Sequence, residues 1–274
     1  MHINCKGKLI DLSSPKIMGI LNITPDSFYD GNTLKNDKDI LSRIEKMLKD
    51  GATFIDIGGY SSRPNAKHIS EEEELQRVLP VIKLITKNFP ESLISIDSFR
   101  SKVVLESVQN GACMVNDISA GTMDKNMFKT IALLKVPYIM MHMQGTPQNM
   151  QDQPSYDDIT KEIIFYFSEK ISQLRELQIN DIIIDVGFGF GKTSAQNYTL
   201  LNQLALFKNL EVPILSGISR KSMLYKLLNT SPEKALNATT AANTIALLNG
   251  SNLLRVHDVK EAYEAIQIVE ALKQ

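Results

Sequence analysis

Eight times along this chain a short, nearly continuous apolar run is followed by a segment with helical spacing of its apolar positions, and seven of the eight runs end at or shortly before polar residues. Ile17–Leu21 ends at Asn22, Thr53–Ile57 at Gly58, Leu93–Ile96 at Asp97, and Cys113–Val115 at Asn116 and Asp117. Val136–His142 ends at His142, Asp181–Val186 carries Asp185 at its end, Val212–Gly217 stops before Lys221, and Ser251–Val256 carries Arg255 at its end with His257 just beyond. Continuous apolar runs of this length suit strands covered on both faces, which is the condition of a parallel sheet. Eight strand-then-helix units with no linker or low-complexity segment between them predict a closed (β/α)8 TIM barrel, read as one domain over 1–274. An open doubly wound sheet is the rival, and no glycine fingerprint follows the first strand as its dinucleotide-binding members require.

Helix limits come from the same spacing. Asp39–Leu48 is closed by Asp50-Gly51, and Ser70 with Glu73 predicts a capping box opening a helix to about Lys87. Further helices are expected over Ser98–Gln109, Lys125–Leu134, Tyr156–Leu177, Gln196–Phe207 and Val259–Leu272, with two helical stretches between Ser222 and Asn249.

In such a barrel chemistry belongs to the C-terminal ends of the strands and the loops beyond them. The residues there sort by type. Arg63, Lys221, Arg255 and His257 suit a phosphate or diphosphate, helped by backbone N–H groups at helix starts. Asp97, Asn116 and Asp185 suit a planar heterocycle carrying an N–H beside an amino group, which a carboxylate accepts in parallel. The rings of Phe28 and Phe190 suit packing on a flat substrate. Asn22 is a neutral oxygen on a rigid strand end, appropriate to Mg²⁺, which takes few protein ligands when phosphates supply the rest.

Composition closes other routes. Lys plus Arg number 30 against 31 for Asp plus Glu, so no global field recruits nucleic acid or an anionic membrane. No charge-free run reaches the length of a membrane span and no secretory h-region opens the chain, which makes a cytoplasmic location the expectation. The two cysteines, Cys5 and Cys113, have no metal-type spacing and are expected to be reduced thiols. Gly187-Phe-Gly-Phe-Gly191-Lys-Thr imitates a phosphate-binding loop, but Val186 stands where a Walker A loop needs glycine and Lys192 where a Rossmann turn does. The four histidines never pair as zinc-hydrolase ligands do.

The ordered motifs resemble those of the dihydropteroate synthase family. Ile20-Leu-Asn22-Ile-Thr-Pro-Asp26-Ser-Phe28-Tyr-Asp30-Gly31 is similar to its first signature and Asp56-Ile-Gly-Gly-Tyr-Ser-Ser62-Arg63-Pro64 to its second. Similarity continues through Asp97-Ser-Phe, Asn116-Asp-Ile, Met141-His-Met-Gln-Gly, Asp185-Val-Gly-Phe-Gly-Phe-Gly-Lys, Gly217-Ile-Ser-Arg-Lys221-Ser222 and Arg255-Val-His257.

The resemblance implies condensation of 6-hydroxymethyl-7,8-dihydropterin diphosphate with 4-aminobenzoate, with Mg²⁺, by a homodimer. It implies that Asp97, Asn116, Asp185, Lys221 and Arg255 hold the pterin. Asn22, Ser62, Arg63, Arg255 and His257 would serve the diphosphate, with Asn22 as metal ligand. Phe28, Pro64, Phe190 and Ser222 would line the aminobenzoate pocket, where sulfonamides compete. Asp97, Lys221, Arg63 and Asp30 would act in catalysis. Tyr60, Ser62, Asn65 and Val186 depart from the family pattern, and three of the four lie in the second loop, so altered loop behaviour or drug sensitivity is expected rather than lost chemistry. Two other readings share the pterin floor: a pterin-binding methyltransferase, which lacks the basic cluster and the Ser-Arg-Pro loop, and a non-catalytic pterin-binding module, which has no use for Lys221, Arg255 and His257 together.

Overall fold

Alternate strand residues divide between two cores, and that division builds the molecule. The structure, a computed structural model, describes residues 1–23, 37–62, 68–150 and 154–272. Among them, β1 (His2–Cys5) and β2 (Lys8–Asp11) form an antiparallel hairpin. β3 (Lys16–Asn22), β4 (Phe54–Gly58), β5 (Leu93–Asp97), β6 (Met114–Asp117), β7 (Tyr138–Met141), β8 (Ile182–Asp185), β9 (Ile214–Ser216) and β10 (Leu253–Val256) pair in parallel. The ring closes where β10 meets β3, so the described strands make an eight-stranded barrel with no free edge, as the strand count predicts.

Ile55, Ile57, Ile94, Ile96, Val115 and Ile184 pack outward with the apolar stripes of the helices. Those helices are α1 (Asp37–Lys49), α2 (Glu71–Asn88), α3 (Ser101–Gln109), α4 (Met127–Leu134), α5 (Ile159–Glu176), α6 (Ser194–Asn202), α7 (Ser222–Leu227), α8 (Leu236–Leu248) and α9 (Val259–Ala271). The intervening residues Met18, Phe54, Leu93, Met114, Ile139, Ile183, Leu215 and Leu253 form a separate interior layer. Period-two alternation makes this division obligatory.

The hairpin is an addition to the eight units read from the sequence. Its turn, Lys6-Gly7, has positive φ at both residues (52° and 78°), the backbone that matches the twist of two paired strands. Ile3, Cys5 and Leu12 pack on the interior layer and stop the N-terminal end of the barrel. Cys5 and Cys113 are both buried there as free thiols.

Helix ends shift by a few residues from expectation. Ser70 caps α2, its hydroxyl accepting from Glu73 N at 3.1 Å, but the expected capping box forms only in this half, because the Glu73 carboxylate pairs with Arg77 at 2.5 Å. The helix expected from Ser98 starts at Ser101, because Arg100 stays extended with its side chain turned into α2, and Ser101 N–H is capped across the fold by Asp124 Oδ2 at 2.7 Å. α6 starts early, at Ser194, behind a full capping box of Thr193 and Gln196. It ends at Asn202, and Leu204–Leu210 continue as a 3₁₀ helix that still buries Leu204 and Phe207 three residues apart. None of the described helices is long and apolar enough to cross a membrane.

Candidate active site

Above the apolar interior layer, most of the same inward positions become polar. Met18 is followed inward by Ile20 and Asn22, Phe54 by Asp56 and Gly58, Leu93 by Ser95 and Asp97, Met114 by Asn116, Ile183 by Asp185, and Leu253 by Arg255. Strand register therefore gathers three carboxylates, two amides and a guanidinium into one floor below the C-terminal mouth. Asp97, Asn116, Asp185, Arg255 and Asn22, singled out in the sequence as strand ends, belong to it. Gly58 leaves room between two of them: a Cβ there would lie 3.5 Å from Asp97 Oδ2 and 3.6 Å from Asn22 Oδ1.

The floor is held by one buried ion network. Arg255 donates from Nε to Asp56 Oδ2 and from Nη2 to Asp97 Oδ2, both at 2.6 Å, and Asn116 Nδ2 donates to the same Asp56 oxygen at 3.0 Å. Burial pushes the Asp97 carboxyl up to about 7, with Arg255 pulling the other way and Asp56 adding to the rise. Burial also raises Asp185, against the attraction of Lys221 and the N–H of Gly187, which donates to Asp185 Oδ1 at 2.8 Å.

The loop after β8 supplies the wall. Lys221, just before α7, donates to Phe188 O and lies 4.3 Å from the ring centre of Phe190. Burial lowers it to about 8, and the neighbouring Asp185 opposes that shift, so the ammonium form prevails at neutral pH. Phe190 packs with Tyr60, Met123 and Met143 around buried Phe99, Ile118 and Met141. The methionines of the β7 end are thus core and pocket wall. Ser222 opens α7 beside Lys221 and is half-buried.

Lys192, rejected as part of a phosphate loop, shapes this wall. Its buried Nζ donates to three backbone oxygens, of His142 at 3.2 Å, Gly187 at 2.9 Å and Phe190 at 2.8 Å. The loop is wound so tightly that Gly187 sits at φ +71°, where a Cβ would lie 2.0 Å from His142 O. Gly187→Ala is therefore expected to cost about 1–3 kcal/mol from backbone conformation alone, before the clash is relieved. Urea unfolding checks this, and a midpoint unchanged from the parent contradicts it.

Other predicted positions fall differently. Asp117 points outward, accepting from Ser119 N, Ser119 Oγ, Gly121 N and Tyr138 OH at 2.6–2.8 Å, and organises the following turn. His142 turns to the rings of Tyr156, Tyr166 and Phe167 rather than into the floor, and burial lowers it to about 3. His257 lies past β10, its backbone N–H bonded to Ser219 Oγ at 3.2 Å. Burial and then Arg220 and Arg255 lower its ring to about 3, so at neutral pH it offers a neutral hydrogen bond and no charge. Ser62 is described and half-buried at the head of the second loop. Phe28, Asp30, Arg63, Pro64 and Asn65 lie outside the described residues.

Asp56 and the Glu74–Arg100 pair were not singled out as functional from the sequence. The signal for Asp56 was present: a carboxylate flanked by isoleucines inside an apolar strand, fully buried here. Arg100 donates to Glu74 Oε2 at 2.6 Å and to the carbonyls of Ile69 and Ser70 at 2.6 and 3.1 Å, clamping the far end of the second loop. Tyr60 at the near end accepts from Gln148 Nε2 at 2.8 Å, pairs with His68 Nδ1 at 3.3 Å and meets Phe99 edge to face.

A closed parallel barrel with a carboxylate-and-amide floor and cations at its mouth is the arrangement of a class: residues 18–257 match the family of pterin binding enzymes. Dihydropteroate synthase of Escherichia coli K12 is 44% identical over 273 residues, covering 99% of this chain and 96% of that protein. Among solved structures, the Yersinia pestis dihydropteroate synthase in complex with a sulfonamide drug superposes with a TM-score of 0.95 at 43% identity, covering 100% of this chain and 99% of the other. The Xanthomonas albilineans enzyme with 4-aminobenzoic acid gives 0.90 at 36%, covering 99% and 98%. The chain belongs to the dihydropteroate synthases.

Proposed function

We infer that the chain condenses 6-hydroxymethyl-7,8-dihydropterin diphosphate with 4-aminobenzoate, releasing diphosphate and 7,8-dihydropteroate. The observation that carries this reading is the convergence of Asp97, Asn116 and Asp185 with Lys221 and Arg255 at one mouth of the barrel, acceptors and cations side by side. Asp185, Asn116 and Asp97 hold the edge of the pterin ring through its N–H groups. Lys221 and Arg255 also hold it, and Arg255 turns its free donors to the diphosphate, with Ser62, Arg63 and His257 beside it. Phe190, Ser222, Phe28 and Pro64 receive the aminobenzoate ring.

The reacting methylene carries a good leaving group beside an electron-rich ring, so C–O cleavage precedes attack by the amine. The electron pair leaves with diphosphate, and the positive charge spreads into the pterin. Asp97 stabilises that charge from the floor and Asp30 from the first loop. No enzyme nucleophile takes part, and the aromatic amine, already neutral, loses its proton after attack.

Asn22 fits a role as the one protein oxygen on Mg²⁺. Its amide oxygen and the Asp97 carboxylate flank the open space at Gly58. The described residues hold no cluster of three or more His, Cys, Asp or Glu side chains suited to a metal, so a site there relies on substrate phosphates and water. When bound, the ion neutralises charge on the leaving diphosphate. A homodimer is supported by exposed apolar side chains on α7 and α8, among them Leu227, Ile245 and Leu248.

The test is formation of dihydropteroate from both substrates, with and without a chelator. Product formed with Mg²⁺, and lost at least about tenfold when the ion is removed, is the expected result. Pterin bound without product under any condition overturns the synthase reading in favour of a binding module.

A further inference from the structure

Asp56 carries two donors on one oxygen and none on the other. Its Oδ2 accepts from Arg255 Nε at 2.6 Å and Asn116 Nδ2 at 3.0 Å, while its buried Oδ1 has no hydrogen-bond partner among the described residues. A carboxylate retained only for packing would have both oxygens satisfied, because an orphaned buried acceptor is costly. Arg255 is tied at both ends, but unequally. The Asp56 end is sealed, at 0% side-chain exposure, whereas Asp97 is 21% exposed toward the mouth.

We propose that Asp56 is a positioning residue for the transfer reaction, holding Arg255 by Nε at the barrel floor while Asp97 exchanges its bond to Nη2 for the incoming pterin. The proposal rests on the reading of Arg255 and Asp97 as parts of that site. An arginine freed from Asp97 alone pivots about the retained Nε bond, so its head stays over the ring and presents Nη1 and Nη2 to the diphosphate. An arginine released from both carboxylates has no reason to stay, since water solvates it better than an apolar wall does. The same Asp56 oxygen fixes the Asn116 amide, which sets the tilt of a second group in the floor. Asp56 touches no substrate in this account and acts through Arg255 and Asn116.

The experiment is a double-mutant cycle on the full chain with both substrates and Mg²⁺, comparing the parent with Asp56→Asn, Arg255→Met and the double variant. Asp56→Asn is expected to lower kcat/KM for the pterin diphosphate by about 100-fold, the scale of a misplaced binding group, and to leave KM for 4-aminobenzoate within about twofold. In the Arg255→Met background the same substitution should change kcat/KM by less than about tenfold, the share that still runs through the Asn116 amide, because the main group Asp56 positions is gone. Losses that multiply, or an Asp56→Asn variant within about twofold of the parent, overturn the proposal. If Asp56→Asn alone does not fold, the comparison of Arg255→Met with the double variant still decides, since removing both partners of a buried pair is commonly tolerated. There a further loss of about tenfold or more contradicts the inference. An inactive parent chain would instead refute the synthase reading, so the two failures are distinct.

Discussion

Asp97→Asn is expected to lower turnover by about 10²–10³-fold, the usual loss when one preorganised electrostatic group facing developing charge is removed. Diphosphate affinity should change little, because Arg255 retains Asp56 and the substitution leaves Lys221 untouched. The pH profile gives a second signature. Burial raises the Asp97 carboxyl from 3.8 to about 7, so the carboxylate forms only as pH rises through that value. Parent kcat/KM should therefore climb to a plateau above about 7, and the asparagine variant should lack this limb. Stability runs the other way. The fold favours the protonated form between the two values, so this contribution is present at low pH and is lost as pH rises through about 7. Steady-state rates across pH check both statements, and near-normal turnover in the variant refutes the assignment.

The second large effect is on stability. Arg100→Met strands Glu74, whose side chain is fully buried, and frees the carbonyls of Ile69 and Ser70. Burial already raises the Glu74 carboxyl despite the guanidinium beside it, so without that cation the acid protonates or stays charged and unpaired. Breaking one side of such a pair costs about 3–5 kcal/mol, on the order of 10 °C in melting temperature for a chain of this size. The companion Glu74→Leu in the same chain should recover most of the loss, because an apolar pair of similar volume has no charge to desolvate. Calorimetry on the single and double variants tests this. A single variant melting with the parent, or a double variant worse than the single, contradicts it.

The barrel was legible because its signal is repeated: each strand is apolar on both faces and each helix carries one stripe, and only one closed arrangement uses eight such units. The polar floor was legible where it coincided with strand ends, at Asp97, Asn116, Asp185 and Arg255. Asp56 was passed over because it lies two residues before the end of its strand, inside an apolar run whose neighbours drew the reading. Asp117 and His142 show the converse. Both stand at strand ends, yet the odd and even positions of a strand face opposite ways, and these two face the helices. Strand-end position alone does not separate Asp117 from Asn116 one residue away, or His142 from the floor residues of other strands.

The hairpin was missed for a different reason. β1 and β2 are short, and β2 is largely exposed, so neither shows the continuous apolar run that marks the barrel strands. Lys6-Gly7 was its readable sign. Arg100 was beyond reach of local pattern, since its partners Glu74, Ile69 and Ser70 come from another unit. Ion pairs between units are decided by packing, and no spacing rule in the chain announces them.

This floor and its cations are expected to transfer the pterin methylene from diphosphate to the amine. The most direct measurement is diphosphate release in a single turnover by parent and Asp97→Asn protein, with Mg²⁺, in the presence and absence of 4-aminobenzoate. The parent is expected to release diphosphate fast with the amine, ending in dihydropteroate, and slowly without it, because the untrapped cation recombines with diphosphate; both rates should collapse in the variant. Equal release with and without the amine, or release indifferent to Asp97, would contradict that mechanism.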